Sequence, residues 1–247
     1  MRPRIVVTIS RRPLGPPGTN PARARPGRPE LVLGRAYLEA VARGGGLPIL
    51  LAPQEGLEDE LAAWAAEHAD GVLISGATAD IAPAFYGEAE RVPVPERDDA
   101  RARTELALAR LCAERGIPVL GVCGGMQALV VAAGGSLIQD IATELPGALE
   151  HEQPTPPREP WHPVTLDGGR ARAALGPTAQ VNSTHHQAVL RPGPYRVTGW
   201  APDGVVEAVE LPGHPFCVGV QWHPEALDGA LYPELCQAAA AFRASRP

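Results

Sequence analysis

Short runs of β-branched and aliphatic residues alternate along this chain with alanine-rich stretches of helical period. That pattern belongs to a mostly parallel sheet with helices on both faces. Residues 4–10 (RIVVTIS) read as the first strand, 48–52 (PILLA) as the second and 71–75 (GVLIS) as a buried third. Helical periodicity falls on 31–43, stopped by Gly44-Gly45-Gly46, and on 57–68, 100–115 and 127–133. An apolar strand at 117–122 runs straight into the last of these helices. Further strands are expected at 195–200, 205–209 and 217–222, and a closing helix at 231–244. Residues 11–30 and 87–98 carry no periodicity and read as long loops, and 144–161 is proline-rich with no periodic face. With no internal repeat and no composition break, the 247 residues are expected to form a single α/β domain.

Composition removes several classes of function. Twenty-two basic residues, all arginine, stand against 28 acidic ones, for a net charge of −6. That balance offers no field for gripping nucleic acid. No run approaches the apolar length of a membrane span and no opening segment resembles a signal peptide, so a cytoplasmic protein is expected. The four cysteines show no C-x-x-C spacing, which fits reduced thiols. Whether the chain forms a homo-oligomer is left open by the sequence.

One cysteine stands apart. Gly121-Val122-Cys123-Gly124-Gly125 lies where a buried strand meets a helix. In such a G-x-nucleophile-x-G turn, small neighbours let strand and helix close up and lift the central side chain above the sheet's carboxyl edge. The helix start favours a thiolate there, and the Gly124 N–H can face an oxyanion. Taken alone, the same segment also suits a structural turn with a buried cysteine. Downstream, His223-Pro224-Glu225 places a base and a carboxylate two residues apart, on one side of an extended chain. The order nucleophile, histidine, acid differs from that of α/β-hydrolases, whose acid precedes the histidine.

GVCGGMQ followed by GVQWHPE resembles the nucleophile and His-Glu motifs of class I glutamine amidotransferases. The segments at 37–53, 80–88, 134–141 and 181–189, with the Arg97-Asp98 pair, are similar to the branch containing γ-glutamyl-γ-aminobutyrate hydrolase. The resemblance implies a flavodoxin-like core and a thioester mechanism on Cys123, with His223 as base and Glu225 as its orienting acid. It implies a small γ-glutamyl substrate, bound in part by Gln127, Asn182, Ser183, His186 and Gln187. Oxyanion donors are expected from Gly124 and from Gly76, in a turn where Ala77 replaces the branch's second glycine. Thiolate chemistry needs no metal or organic cofactor. His151, His162, His68 and His214 show no partner at ligand spacing, and the adjacent pair His185-His186 is ill placed to chelate one ion. A glutaminase subunit feeding a synthetase, or a silent binding protein, are the rival readings.

Overall fold

Strand β1 (Arg4–Thr8) opens a computed structural model that describes residues 1–11, 30–94, 96–227 and 229–246. The loop expected at 11–30 therefore lies almost wholly outside the described residues. β2 (Ser10–Arg11) pairs with β3 (Leu31–Val32), so the helix expected from residue 31 begins later, as α1 (Arg35–Arg43). There follow β4 (Leu47–Leu51), α2 (Glu58–His68), β5 (Gly71–Ile74), α3 (Asp99–Arg115), β6 (Val119–Val122) and α4 (Gly124–Ala132). Next come β7 (Ser136–Ile138), α5 (Ile141–Glu144), β8 (His162–Leu166), α6 (Gly169–Leu175) and β9 (Thr178–Val181). The chain closes through β10 (Ala188–Arg191), β11 (Arg196–Trp200), β12 (Val206–Glu210), β13 (Cys217–Val220) and α7 (Leu231–Ser245). Among the described residues no helix is long and apolar enough to cross a membrane.

The main sheet runs β4-β1-β5-β6-β13-β12-β11-β8-β9. Its first five strands are parallel, and β12, β11, β8 and β9 extend it antiparallel. Side chains of the parallel strands alternate between two buried faces. Val6, Val72, Ile74 and Val119 pack with Ala65, Leu106 and Met126 of α2, α3 and α4. Ile5, Val7, Leu73, Leu120 and Val220 pack with Val41, Ala171 and Leu235 of α1, α6 and α7. Both faces being dry explains why these strands read as unbroken apolar runs. Each such buried aliphatic side chain contributes about 1.5–3 kcal/mol.

Glycine decides how close α4 comes. A Cβ on Gly125 would overlap the Ile74 carbonyl, and one on Gly219 would stand 2.6 Å from Met126 Cγ. Small residues on both sides let the helix start lie on the sheet. The carboxyl ends of β5, β6 and β13 thus converge beside the α4 N-terminus, the usual location of a site in an open α/β sheet.

Candidate active site

Cys123 follows β6 and caps α4 at φ 53, ψ −112. Among the described residues no other non-glycine has positive φ. The turn is held from both sides. The Cys123 N–H donates to the Val220 carbonyl at 2.8 Å, and its own carbonyl accepts from Met126 N at 2.9 Å. The residue is 5% exposed. The other three thiols are buried and form no disulfide. Burial pushes Cys217 up to about 12, Cys112 well above its ordinary value and Cys236 upward as well.

His223 Nδ1 lies 2.7 Å from Glu225 Oε1, to which it can donate. The pair was expected from extended chain geometry, yet residues Pro224–Ala226 form a short 3-10 turn, and that turn folds Glu225 back under the ring. With Nδ1 committed to the carboxylate, Nε2 is the ring nitrogen left for the Cys123 sulfur. Burial alone would lower the imidazolium's pKa; the Cys123 sulfur and then Glu225 override it and raise it to about 10. Glu225 is buried and also accepts from Tyr232 Oη at 3.3 Å, while Tyr37 Oη sits 3.2 Å from His223 Nδ1. Burial, followed by the Glu225 charge, holds both phenols well above the ordinary tyrosine range, so they stay neutral donors.

The turn after β5 departs from expectation. The Gly76 N–H, expected to face an oxyanion, donates to Tyr37 Oη at 2.9 Å. Glycine is needed at 76 for another reason: a Cβ there would stand 2.7 Å from His223 Cε1. The next amide, Ala77 N, lies 3.3 Å from the point where a Gly124 Cβ would be. Ala77 is not among the positive-φ residues, so alanine is unstrained there. The turn's outer side is fixed by Arg101 of α3, which donates to the carbonyls of Ser75 at 2.8 Å and Gly76 at 3.0 Å. Arg101 and Glu105 are both buried and paired at 2.7 Å, and Thr8 Oγ1 donates to Glu105 at 2.6 Å.

Two cavities flank Cys123 and His223. One, about 230 Å³, is lined by Cys123, Gly124, Gln127, Glu152, His186 and Gln187. The other, about 390 Å³, lies across His223 against Val32, Leu33, Tyr37 and Thr78. Of the residues expected at the substrate, Gln127, His186 and Gln187 reach the first cavity. His186 is held between Asp80 at 2.9 Å and Asp140 at 3.4 Å; chiefly the Asp80 bond raises its pKa to about 9. Asn182 and Ser183 line neither cavity. Asn182 is fully buried and clasps His223, accepting from its N–H at 2.8 Å and donating to its carbonyl at 3.0 Å. Ser183 Oγ donates to the His151 carbonyl at 2.9 Å. Both lie just before the pocket segment and brace it.

Sequence reasoning missed Tyr37, Asp80, Glu152 and Thr184, none of which carries a local signal of its own. It also left His151, His162 and His185 as unrelated residues, whereas the fold gathers all three around buried Glu207. Their separation along the chain hides a cluster that only the antiparallel extension assembles.

The peptidase C26 family model matches residues 20–225. Gamma-glutamyl-gamma-aminobutyrate hydrolase PuuD of Escherichia coli strain K12 is 40% identical over 198 residues, covering 76% of each chain. Protein NtpR of Enterococcus hirae is 35% identical over 195 residues, covering 77% of this chain and 80% of that one. Among solved structures, a glutamine amidotransferase from Thermotoga maritima superposes with a TM-score of 0.55 at 14% identity, covering 91% of this chain and 77% of that one. A chain from Thermoplasma acidophilum reaches 0.62 at 13% identity, covering 99% and 97%. These two likenesses carry the fold; the family match and the 40% identity carry more, and on them the chain belongs to the peptidase C26 family.

Proposed function

We propose that this chain hydrolyses the γ-amide of a small γ-glutamyl compound, such as γ-glutamyl-γ-aminobutyrate, through a thioester on Cys123. The observation that carries the reading is the 2.7 Å pairing of His223 with Glu225 beside a cysteine held at a strained strand-to-helix turn. The Cys123 sulfur attacks the γ-carbonyl carbon, and the carbonyl electrons move onto oxygen. The N–H groups of Gly124 and Ala77 receive that oxyanion. As the tetrahedral centre collapses, the C–N bond breaks and the proton on His223 Nε2 passes to the leaving amine. Water, giving its proton back to His223, then attacks the thioester and releases glutamate and the free sulfur. Glu225 stays ionised and holds the ring.

The cavities divide the substrate. In the polar one, Glu152 offers a counter-charge to the glutamyl ammonium and the His186 imidazolium one to its α-carboxylate. Across His223, Val32, Leu33 and Tyr37 give a largely apolar wall suited to the methylenes of a leaving alkylamine. A γ-glutamyl alkylamine should therefore exceed free glutamine in kcat/KM by more than about tenfold, which needs only about 1.4 kcal/mol of binding from the amine side. Glutamate release from a panel of γ-glutamyl amines by the isolated protein tests this. Glutamine as the better substrate, or activity only with an added synthetase, would make the chain a glutaminase subunit instead.

A further inference from the structure

Glu207, on β12, is fully buried, and neither carboxylate oxygen has a hydrogen-bond partner among the described residues. Around it stand three buried imidazoles: His151 Nδ1, His162 Nε2 and His185 Nε2 each lie 3.6 Å from Glu207 Oε1. The far nitrogen of every ring meets an acceptor. His151 Nε2 is 3.0 Å from Asp203 Oδ2, His162 Nδ1 is 3.1 Å from the Pro163 carbonyl, and His185 Nδ1 is 3.0 Å from the Gln187 carbonyl. A carboxylate or carbonyl only accepts, so each far nitrogen carries the ring hydrogen and each near nitrogen presents a lone pair. Ser183 Oγ lies 2.9 Å from the His151 carbonyl and 3.2 Å from His151 Nδ1, while His162 Nε2 and His185 Nε2 have no hydrogen-bond partner among the described residues.

Three lone pairs directed at a carboxylate repel unless something positive lies between them. A proton on Glu207 can serve one ring and leaves two opposed. Charged imidazoles would close to hydrogen-bond length, as His223 does on Glu225 at 2.7 Å. A cation answers all of them. The ligand atoms of His151, His185 and Glu207 lie within 4.8 Å of one another. Zinc bound tetrahedrally by nitrogen and oxygen sets its ligand atoms about 3.4 Å apart, near the 3.6 Å from His151 and His185 to Glu207 Oε1. The far-side bonds to Asp203 and Gln187 are the outer contacts that orient metal-bound histidines.

We propose that His151, His185 and Glu207 bind a divalent transition-metal ion, zinc by ligand type; His162, 3.6 Å from Glu207 Oε1 but outside that close group, moves in as the fourth donor when the ion binds. Glu207 and Asp203 together balance its charge. The ion is structural: it ties β12 and β8 to the segment 182–187, whose Asn182 clasps His223 and whose His186 and Gln187 line the pocket.

Untagged full-length protein, grown with zinc, gel-filtered in EDTA and analysed by plasma mass spectrometry should retain about one zinc per chain. Glu207→Gln and His185→Gln, with folding checked by circular dichroism, should each retain less than about a tenth of that. Because such variants can fail to fold, the unaltered protein provides a second readout. Refolded with cobalt(II), it should show the intense visible bands of four-coordinate cobalt, and added zinc should abolish them. The proposal is overturned by folded wild-type protein holding under about a tenth of an equivalent of metal, by zinc content unchanged in folded Glu207→Gln, or by the weak spectrum of six-coordinate cobalt.

Discussion

A side chain held at φ 53 and ψ −112 costs about 1–3 kcal/mol that a glycine in its place would not. Cys123→Gly and Cys123→Ala both remove the sulfur, but only glycine releases the backbone. The glycine variant should be the more stable by about 1 kcal/mol, seen as a melting temperature about 2–4 °C higher by calorimetry. Equal melting temperatures would mean that the turn is unstrained. His223 supplies a second test. Its folded-state pKa is raised to about 10, so the protonated ring is favoured by the fold. The resulting stabilisation is complete below the unfolded value of about 6.5 and disappears as pH rises through about 10. The alkaline limb of kcat/KM should accordingly fall near pH 10, and Glu225→Gln should move it to lower pH. An alkaline limb at pH 7 in the unaltered enzyme would remove the ion pair from the mechanism. The residues carrying these predictions were legible in the sequence, because the motif at 121–125 and the 223–225 pair are defined by near neighbours. Gly76 was misassigned because the fate of its N–H depends on Tyr37, a residue far back in the chain.

Helix α4 reaches its place only because the residue after Gly124 has no side chain. Gly125→Ala forces a methyl group into the Ile74 carbonyl and should cost more than about 3 kcal/mol, leaving little soluble protein. Gly134, at φ 84 with nothing within 4 Å of a Cβ, makes the control. Alanine there should cost only about 1 kcal/mol of backbone strain. Urea denaturation of the pair measures the contrast, and a well-folded Gly125→Ala protein would show that the helix can retreat. The parallel strands and the longer helices were readable because each fills whole periods of one pattern. Strands β7 to β10 were not, since they are three to five residues long, and β7 finds its partner β10 only across the intervening β8 and β9. Two- or three-residue alternation is no signal without the partner strand.

At the scale of the molecule, the parallel half carries Cys123, His223 and most of the lining of both cavities, and the segments beside the antiparallel strands add Glu152 and residues 184–187. Asn182, beyond β9, joins them through both of its amide atoms to the backbone of His223. Asn182→Ala should lower kcat about tenfold or more and raise KM as well, since a ring displaced by a fraction of an ångström loses its alignment. Circular dichroism should be unchanged, and a variant with normal kcat would show that the clasp is dispensable. The class of fold could be read from the alternation of strands and helices. The union of the two halves could not, because it depends on pairings such as β6 with β13, where Val119 faces Cys217, that close late and over long separations.

That clasp also bears on how such an enzyme can diverge. Substitutions along 182–187 disturb His223 together with the cavity wall, so under the proposed function new preferences acquired there carry a loss of rate. Val32 and Leu33, on the far cavity, hold no side-chain bond to Cys123, His223 or Glu225. Descendants of this chain that accept different amines have that wall free to vary, and it is there that a lineage can change its diet while keeping its chemistry.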